Sequence, residues 1–122
     1  MKITATPIEG LFEIYPVIFK DERGYFFESF RKEALLSQGI DKEWVQENQS
    51  FSKVGTVRGL HFQNEPHAQA KLVKVISGKV LDVVVDLRKG SKTYGKVYSK
   101  ILDDQNHNML FVPEGFGHGF SV

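Results

Sequence analysis

"KLVKVISGKVLDVVVDLR", Lys71 to Arg88, holds two stretches in which apolar and polar side chains alternate, joined at Ser77-Gly78. A period of two belongs to a strand with one face buried; an amphipathic helix would repeat its apolar positions every three to four residues. Ser-Gly is a pair able to adopt a tight two-residue turn, so the stretch predicts a β-hairpin. In its second arm Leu81, Val83, Val85 and Leu87 share one face, and Val80, Asp82, Val84 and Asp86 share the other.

The same texture extends in both directions. Short alternating runs bounded by Gly, Pro, Asn or Asp predict strands at Ile3 to Thr6, Leu11 to Tyr15, Val17 to Phe19, Gly24 to Phe30, Val45 to Phe51 and Thr56 to Phe62. Beyond the hairpin arms, Lys71 to Ser77 and Lys79 to Leu87, further strands are expected at Gly95 to Leu102, Met109 to Val112 and His118 to Val122. Their close, even spacing suits an all-β sandwich or barrel. One stretch departs from it: "SFRKEALLSQG", Ser29 to Gly39, predicts a short peripheral helix with Ser29 as N-cap and Gly39 as the left-handed residue that ends it.

With 122 residues and neither repeat nor linker, the chain reads as one domain over 1–122. "FVPEGFGHGFSV", Phe111 to Val122, ends inside its second strand. An open edge of that kind is usually paired or covered, which predicts either a longer chain or completion by another subunit.

Composition narrows the function. A net charge of +1 with Lys and Arg spread throughout gives no basic stripe for nucleic acid or an anionic membrane. Cysteine is absent, which removes disulfides, thiolate metal sites and a cysteine nucleophile together. "MKITATPIEG" has no apolar leader, and no segment approaches the ~20 apolar residues of a bilayer span, so a cytoplasmic protein is expected.

"GSKTYGKV", Gly90 to Val97, has the Gly-x4-Gly-Lys spacing of a phosphate loop, but Val97 stands where Ser or Thr should be and a strand follows in place of a helix. The histidines His61, His67, His107 and His118 raise a metal reading; His61-Phe62-Gln63 puts Gln where a second imidazole ligand would stand, so no metal is expected.

"VRGLHFQNEPHAQAKLVKV", Val57 to Val75, instead concentrates Arg58, His61, Gln63 and Lys71 around one strand. Strict alternation puts Val57, Gly59, His61 and Gln63 on one face and Arg58, Leu60 and Phe62 on the other. A His, a Gln and a Lys meeting inside a barrel are costly to bury without a polar ligand, which predicts a binding pocket. "DERGYFFESF", Asp21 to Phe30, joins Arg23 to exposed-patterned aromatics, the residue types that fork a phosphate and stack on a base. In "VQENQSFS", Gln46 and Asn48 fall on one face.

At these residues the sequence resembles the dTDP-4-dehydrorhamnose 3,5-epimerase family. The shared motifs are "DERGYFFESF", the long run from Val45 to Arg88, "YGKV" and "FVPEGFGHGF", in the family's order and spacing. The resemblance implies a cupin-type double-stranded β-helix, or jelly roll, acting without a cofactor as a homodimer on a dTDP-4-keto-6-deoxy sugar. It makes His61 the general base and Lys71 the cation beside the ketone oxygen. Arg58 would reach the diphosphate, and His118 would line the sugar pocket. Phe19, Arg23, Phe26, Glu28, Gln46 and Asn48 would serve the thymidine and phosphate end, some across the dimer interface.

In that family the tyrosine acid and the aspartate paired with the catalytic histidine lie downstream of the segment matching Phe111 to Val122, so the resemblance implies a family member lacking its C-terminal segment. Tyr94 and Tyr98 belong to a different strand and are not assigned the acid's role. The alternatives are a non-catalytic nucleotide-sugar binder and a single-position epimerase or isomerase of the same fold.

Overall fold

The computed structural model describes residues 1–122 as ten strands and one helix. Strands β1 (Lys2–Ala5), β2 (Phe12–Tyr15), β9 (Met109–Val112) and β6 (Lys71–Lys74) form one antiparallel sheet in that order. Strands β5 (Val57–His61), β10 (Phe116–Ser121), β7 (Lys79–Asp86) and β8 (Val97–Asp103) form a second. The chain crosses from one sheet to the other after β5, β6, β8 and β9, which is the jelly-roll arrangement. A hairpin of β3 (Ile18–Asp21) and β4 (Gly24–Phe27) makes a separate two-stranded sheet.

The stretch from Lys71 to Arg88 therefore forms two strands but no hairpin. β6 pairs with β9, and β7 pairs with β10 and β8. Ser77-Gly78 has the turn chemistry, with Gly78 at φ +89°, yet Gly78 N–H donates to Asp104 Oδ2 and its carbonyl accepts from Asp104 N–H. The bend is held by the β8–β9 connection, and the two arms part into opposite sheets. Local residues made the turn; distant partners decided what it joins.

The inward face of β7 is the one with the aspartates. Val84, Asp82 and Asp86 are fully buried, and Val84 joins Ile8, Leu11, Leu102, Leu110, Val112 and Phe116 in the core between the sheets. A second cluster, Ile14, Leu35, Ile40, Met109 and Phe111, packs on the other side of the first sheet. β9 lies between the two clusters, which is why all four of its residues are buried.

The helix α1 (Lys32–Leu36) is shorter than the sequence suggests and is capped by Arg31 backbone, with no side-chain bond; Ser29 lies outside it. Its end follows the sequence reading. Gly39 takes φ +78° with its N–H on Leu36 O, Ile40 N–H reaches Leu35 O, and buried Leu35 and Ile40 close the motif. Val45 to Phe51 is a second departure, since it forms no strand. Gln46 Nε2 donates to Asn48 Oδ1 and Arg58 Nε to Ser52 Oγ, while Arg58 Nη2 donates to Phe51 O, a backbone acceptor that a neighbouring strand would otherwise have used.

Strict alternation also fails in β5. His118 pairs with His61 but Phe120 pairs with Arg58, so three steps on β5 match two on β10. This bulge turns Arg58 to the same face as His61, against the sequence expectation. Gly59 carries it at φ +99°, where a Cβ would lie 2.7 Å from His118 O. From the other strand a Cβ on Gly119 would lie 2.5 Å from Arg58 O. Gly119→Ala is expected to push β5 off its register and lower stability by about 1–3 kcal/mol; urea unfolding with the same m-value and a reduced midpoint would show it, and an unchanged midpoint would contradict the close approach.

Candidate functional site

Neighbouring residues in an antiparallel register share a face, so His61 and His118 stand side by side on the face of the second sheet that carries Asp82, His118 half-buried and His61 exposed on the edge strand. His118 Nε2 lies 2.8 Å from Asp82 Oδ1, with the His118 side chain 12% exposed and Asp82 fully buried. Asp82 Oδ2 has no partner. Lys71 comes from the facing sheet, opposite Val112, on the same face as Val73, which packs on the inter-sheet core. It has no ion-pair partner, whereas Lys74, on the other face of β6, reaches Glu47 at 3.7 Å. The sandwich thus brings His61, His118, Arg58 and Lys71 to the side bounded by its edge strands β5 and β6.

Asp82 was missed by sequence reasoning as a site residue. Its signal was available: a carboxylate in the middle of an apolar strand face is rarely buried without a partner. Asp86 carried the same signal, but its work is different. Its carboxylate accepts from Arg88 Nε, Ser91 Oγ and Thr93 Oγ1, fastening the loop between β7 and β8.

That loop contains the sequence resembling a phosphate cradle, and its hydroxyls are spent on Asp86 while no helix follows. No group of three or more His, Asp or Glu side chains is arranged to hold a metal ion. No helix is long and apolar enough to cross a membrane.

The remaining polar residues stand elsewhere. Phe19 and Phe26 are cross-strand partners on the β3–β4 hairpin, 64% and 71% exposed. Arg23, at its tip, donates to Asp21, and Glu28 pairs with Arg31 at 2.8 Å. The hairpin has no hydrogen-bonded ladder to either large sheet, so these residues sit on a separate element from His61 and His118.

The tyrosines are also accounted for. At the opposite side of the sandwich, Tyr98 and Tyr15 hydroxyls donate to Glu13, which Lys100 approaches at 3.1 Å. Burial first, then the bond to Glu13, pushes the Tyr98 hydroxyl up to about 12. Tyr25 stacks on Phe27. Tyr94 lines a groove of about 500 Å³ with Phe62, Gln63 and Lys89, between the loops that follow β5 and β7.

Comparison with known proteins supplies the family. Residues 5–122 match the family model described as dTDP-4-dehydrorhamnose 3,5-epimerase. The dTDP-4-dehydrorhamnose 3,5-epimerase of Methanothermobacter thermautotrophicus is 48% identical over 115 residues, 94% of this chain and 62% of its own length. The Bacillus anthracis enzyme of that name, solved with TDP and PPi bound, superposes with a TM-score of 0.95 at 45% identity, over 98% of this chain and 69% of its own. A dTDP-6-deoxy-D-glucose-3,5-epimerase from Legionella pneumophila, solved with dTDP-4-keto-L-rhamnose, gives 0.93 at 44% identity, over 99% and 64%. The chain thus spans 62% of the length of the Methanothermobacter relative, and with 48% identity over that span and a family model matched over residues 5–122 it belongs to the dTDP-4-dehydrorhamnose 3,5-epimerase family.

Proposed function

We propose that the chain binds a dTDP-linked 4-keto-6-deoxy sugar and removes the protons next to its ketone, the step that opens 3,5-epimerisation towards dTDP-L-rhamnose. The observation that carries this reading is the pairing of His61 with His118 on one face of the second sheet, with unpaired Lys71 on the facing sheet.

Protons on C3 and C5 are acidic because the resulting carbanion delocalises onto the C4 oxygen. His61 takes the proton, since imidazole is the side chain suited to that exchange near neutral pH. Lys71 holds the enolate oxygen, where a fixed cation lowers the barrier only as charge develops. His118, held by Asp82, lines the sugar. Arg58, turned inward by the bulge, meets the diphosphate. Phe19, Phe26, Arg23, Glu28, Gln46 and Asn48 hold the thymidine and phosphate end.

A cytoplasmic homodimer is part of the same proposal. Support comes from Phe51, Val54 and Val57, all largely exposed on or next to the open edge strand β5, a combination that association between copies would cover.

Inversion needs a donor on the opposite ring face. Tyr15 and Tyr98 do not fill that role, because both hydroxyls are committed to Glu13 across the sandwich from His61.

The test is incubation with dTDP-4-keto-6-deoxyglucose in deuterated water, followed by NMR at C3 and C5. Deuterium at either carbon is expected. Tight binding with no exchange would overturn the catalytic reading and leave a nucleotide-sugar binder.

A further inference from the structure

His107 is the histidine that the proposed chemistry leaves unused, and the fold goes to some length to place it. The β8–β9 connection is fastened at both ends by side chains. Asp103 Oδ1 accepts from Gln105 N–H and Asn106 N–H, and buried Asn108 donates to Ile101 O while accepting from Asp103 N–H. His107 N–H closes the turn on Asp103 O. Within it His107 takes φ +50°, the only residue other than glycine with a positive φ. A non-glycine residue held there by so many bonds signals a side chain whose direction matters.

That direction is towards the β3–β4 hairpin. The imidazole lies 4.5 Å from the Phe27 ring at 27° and 4.9 Å from the Tyr25 ring at 37°. Register decides what this contact does. Ile18, Phe27, Lys20 and Tyr25 share one face of the hairpin, and Phe19 and Phe26 share the other. Since the hairpin has no ladder to either sheet, its orientation depends on side-chain packing, and the ring of His107 seats one face so that the other faces outward.

We infer that His107 is the positioning residue of the nucleotide-binding arm: its ring, presented by a left-handed turn, docks Tyr25 and Phe27 and thereby fixes Phe19, Phe26 and Arg23 for the thymidine diphosphate. The inference rests on the assignment of that arm to the nucleotide.

Three variants test it with dTDP as the probe. His107→Asn removes the ring while keeping a residue tolerant of positive φ. His107→Phe keeps a ring, and Arg23→Ala tests the arm itself. Expected results are a roughly tenfold weaker dTDP affinity for His107→Asn, the order expected from losing two aromatic contacts, and recovery of most of it in His107→Phe. Deuterium exchange at saturating substrate should change little, so the loss appears in KM and not in kcat.

If Arg23→Ala weakens binding but His107→Asn does not, the inference is wrong and the arm assignment stands. If neither variant weakens binding, the arm assignment itself fails, and the inference with it. If His107→Asn weakens binding and His107→Phe does not restore it, the turn and not the ring is responsible, which also overturns the inference.

Discussion

Replacing His61 with alanine is expected to slow deuterium uptake at C3 and C5 by about 10²- to 10⁴-fold, the usual worth of a positioned general base. dTDP affinity should stay within a few fold, because the thymidine and phosphate contacts are assigned to Arg58, the separate hairpin, Glu28, Gln46 and Asn48, none of them His61. The contrast with His118 sharpens the test. Both imidazoles stand on one face at paired positions, but only His118 has its ring nitrogen fixed by a buried carboxylate. A His61 variant that retained full exchange would move the base to His118 and make the Asp82–His118 pair the reactive one. NMR exchange rates for His61→Ala and His118→Ala at saturating substrate separate the two.

The second large effect is on stability. Asp86→Ala should cost about 3–5 kcal/mol, the penalty of removing one partner from a buried ion pair. Five donors from three residues, Arg88, Ser91 and Thr93, converge on that carboxylate at 2.6–3.0 Å, and Arg88 also reaches Glu9 O and lies 4.8 Å from the Phe116 ring centroid. Losing Asp86 therefore loosens the loop to β8 and the contact to the N-terminal segment together.

Acidity provides an independent signature. Burial alone would raise the Asp86 carboxyl, but bonds from Arg88, Thr93 and Ser91 outweigh it and hold it well below the usual carboxylate range. A group with a depressed folded-state value stabilises fully above its unfolded value, near 3.9, and loses that contribution as pH falls towards the folded value. Urea midpoints of the parent chain should thus fall more steeply below about pH 4 than those of Asp86→Ala. Parallel curves would show that Asp86 does not carry the acid sensitivity.

The fold class was legible because apolar alternation is a local property, and it survives in β7 almost residue for residue. Pairing was not legible in the same way. Ser77-Gly78 satisfies every local rule for a hairpin, and the decision against one lies in β9 and β10, more than thirty residues downstream, which claim β6 and β7 separately. Val45 to Phe51 shows the converse. Its alternation is that of a strand, but no partner edge reaches it.

In the site, the association of His61 with His118 depends on a register that no single strand encodes. The inward turn of Arg58 depends on Gly59, whose role in a bulge becomes visible only against the backbone of Gly119. Asp82 was readable as a buried carboxylate in an apolar run; its partner, thirty-six residues away, was not.

The strand order has a consequence for the chain as it leaves the ribosome. β6 hydrogen-bonds only to β9, β5 only to β10, and the β1–β2 pair joins the first sheet only through β9. Strands made early must wait for residues 109–121 before either four-stranded sheet can close. At about 5–20 residues per second that delay lasts seconds, during which the apolar faces of β2 and β6 are uncovered in a nascent chain. Folding is therefore gated by the last strands translated among those described, and a pause in synthesis before Met109 would prolong the interval in which those faces can find another molecule instead.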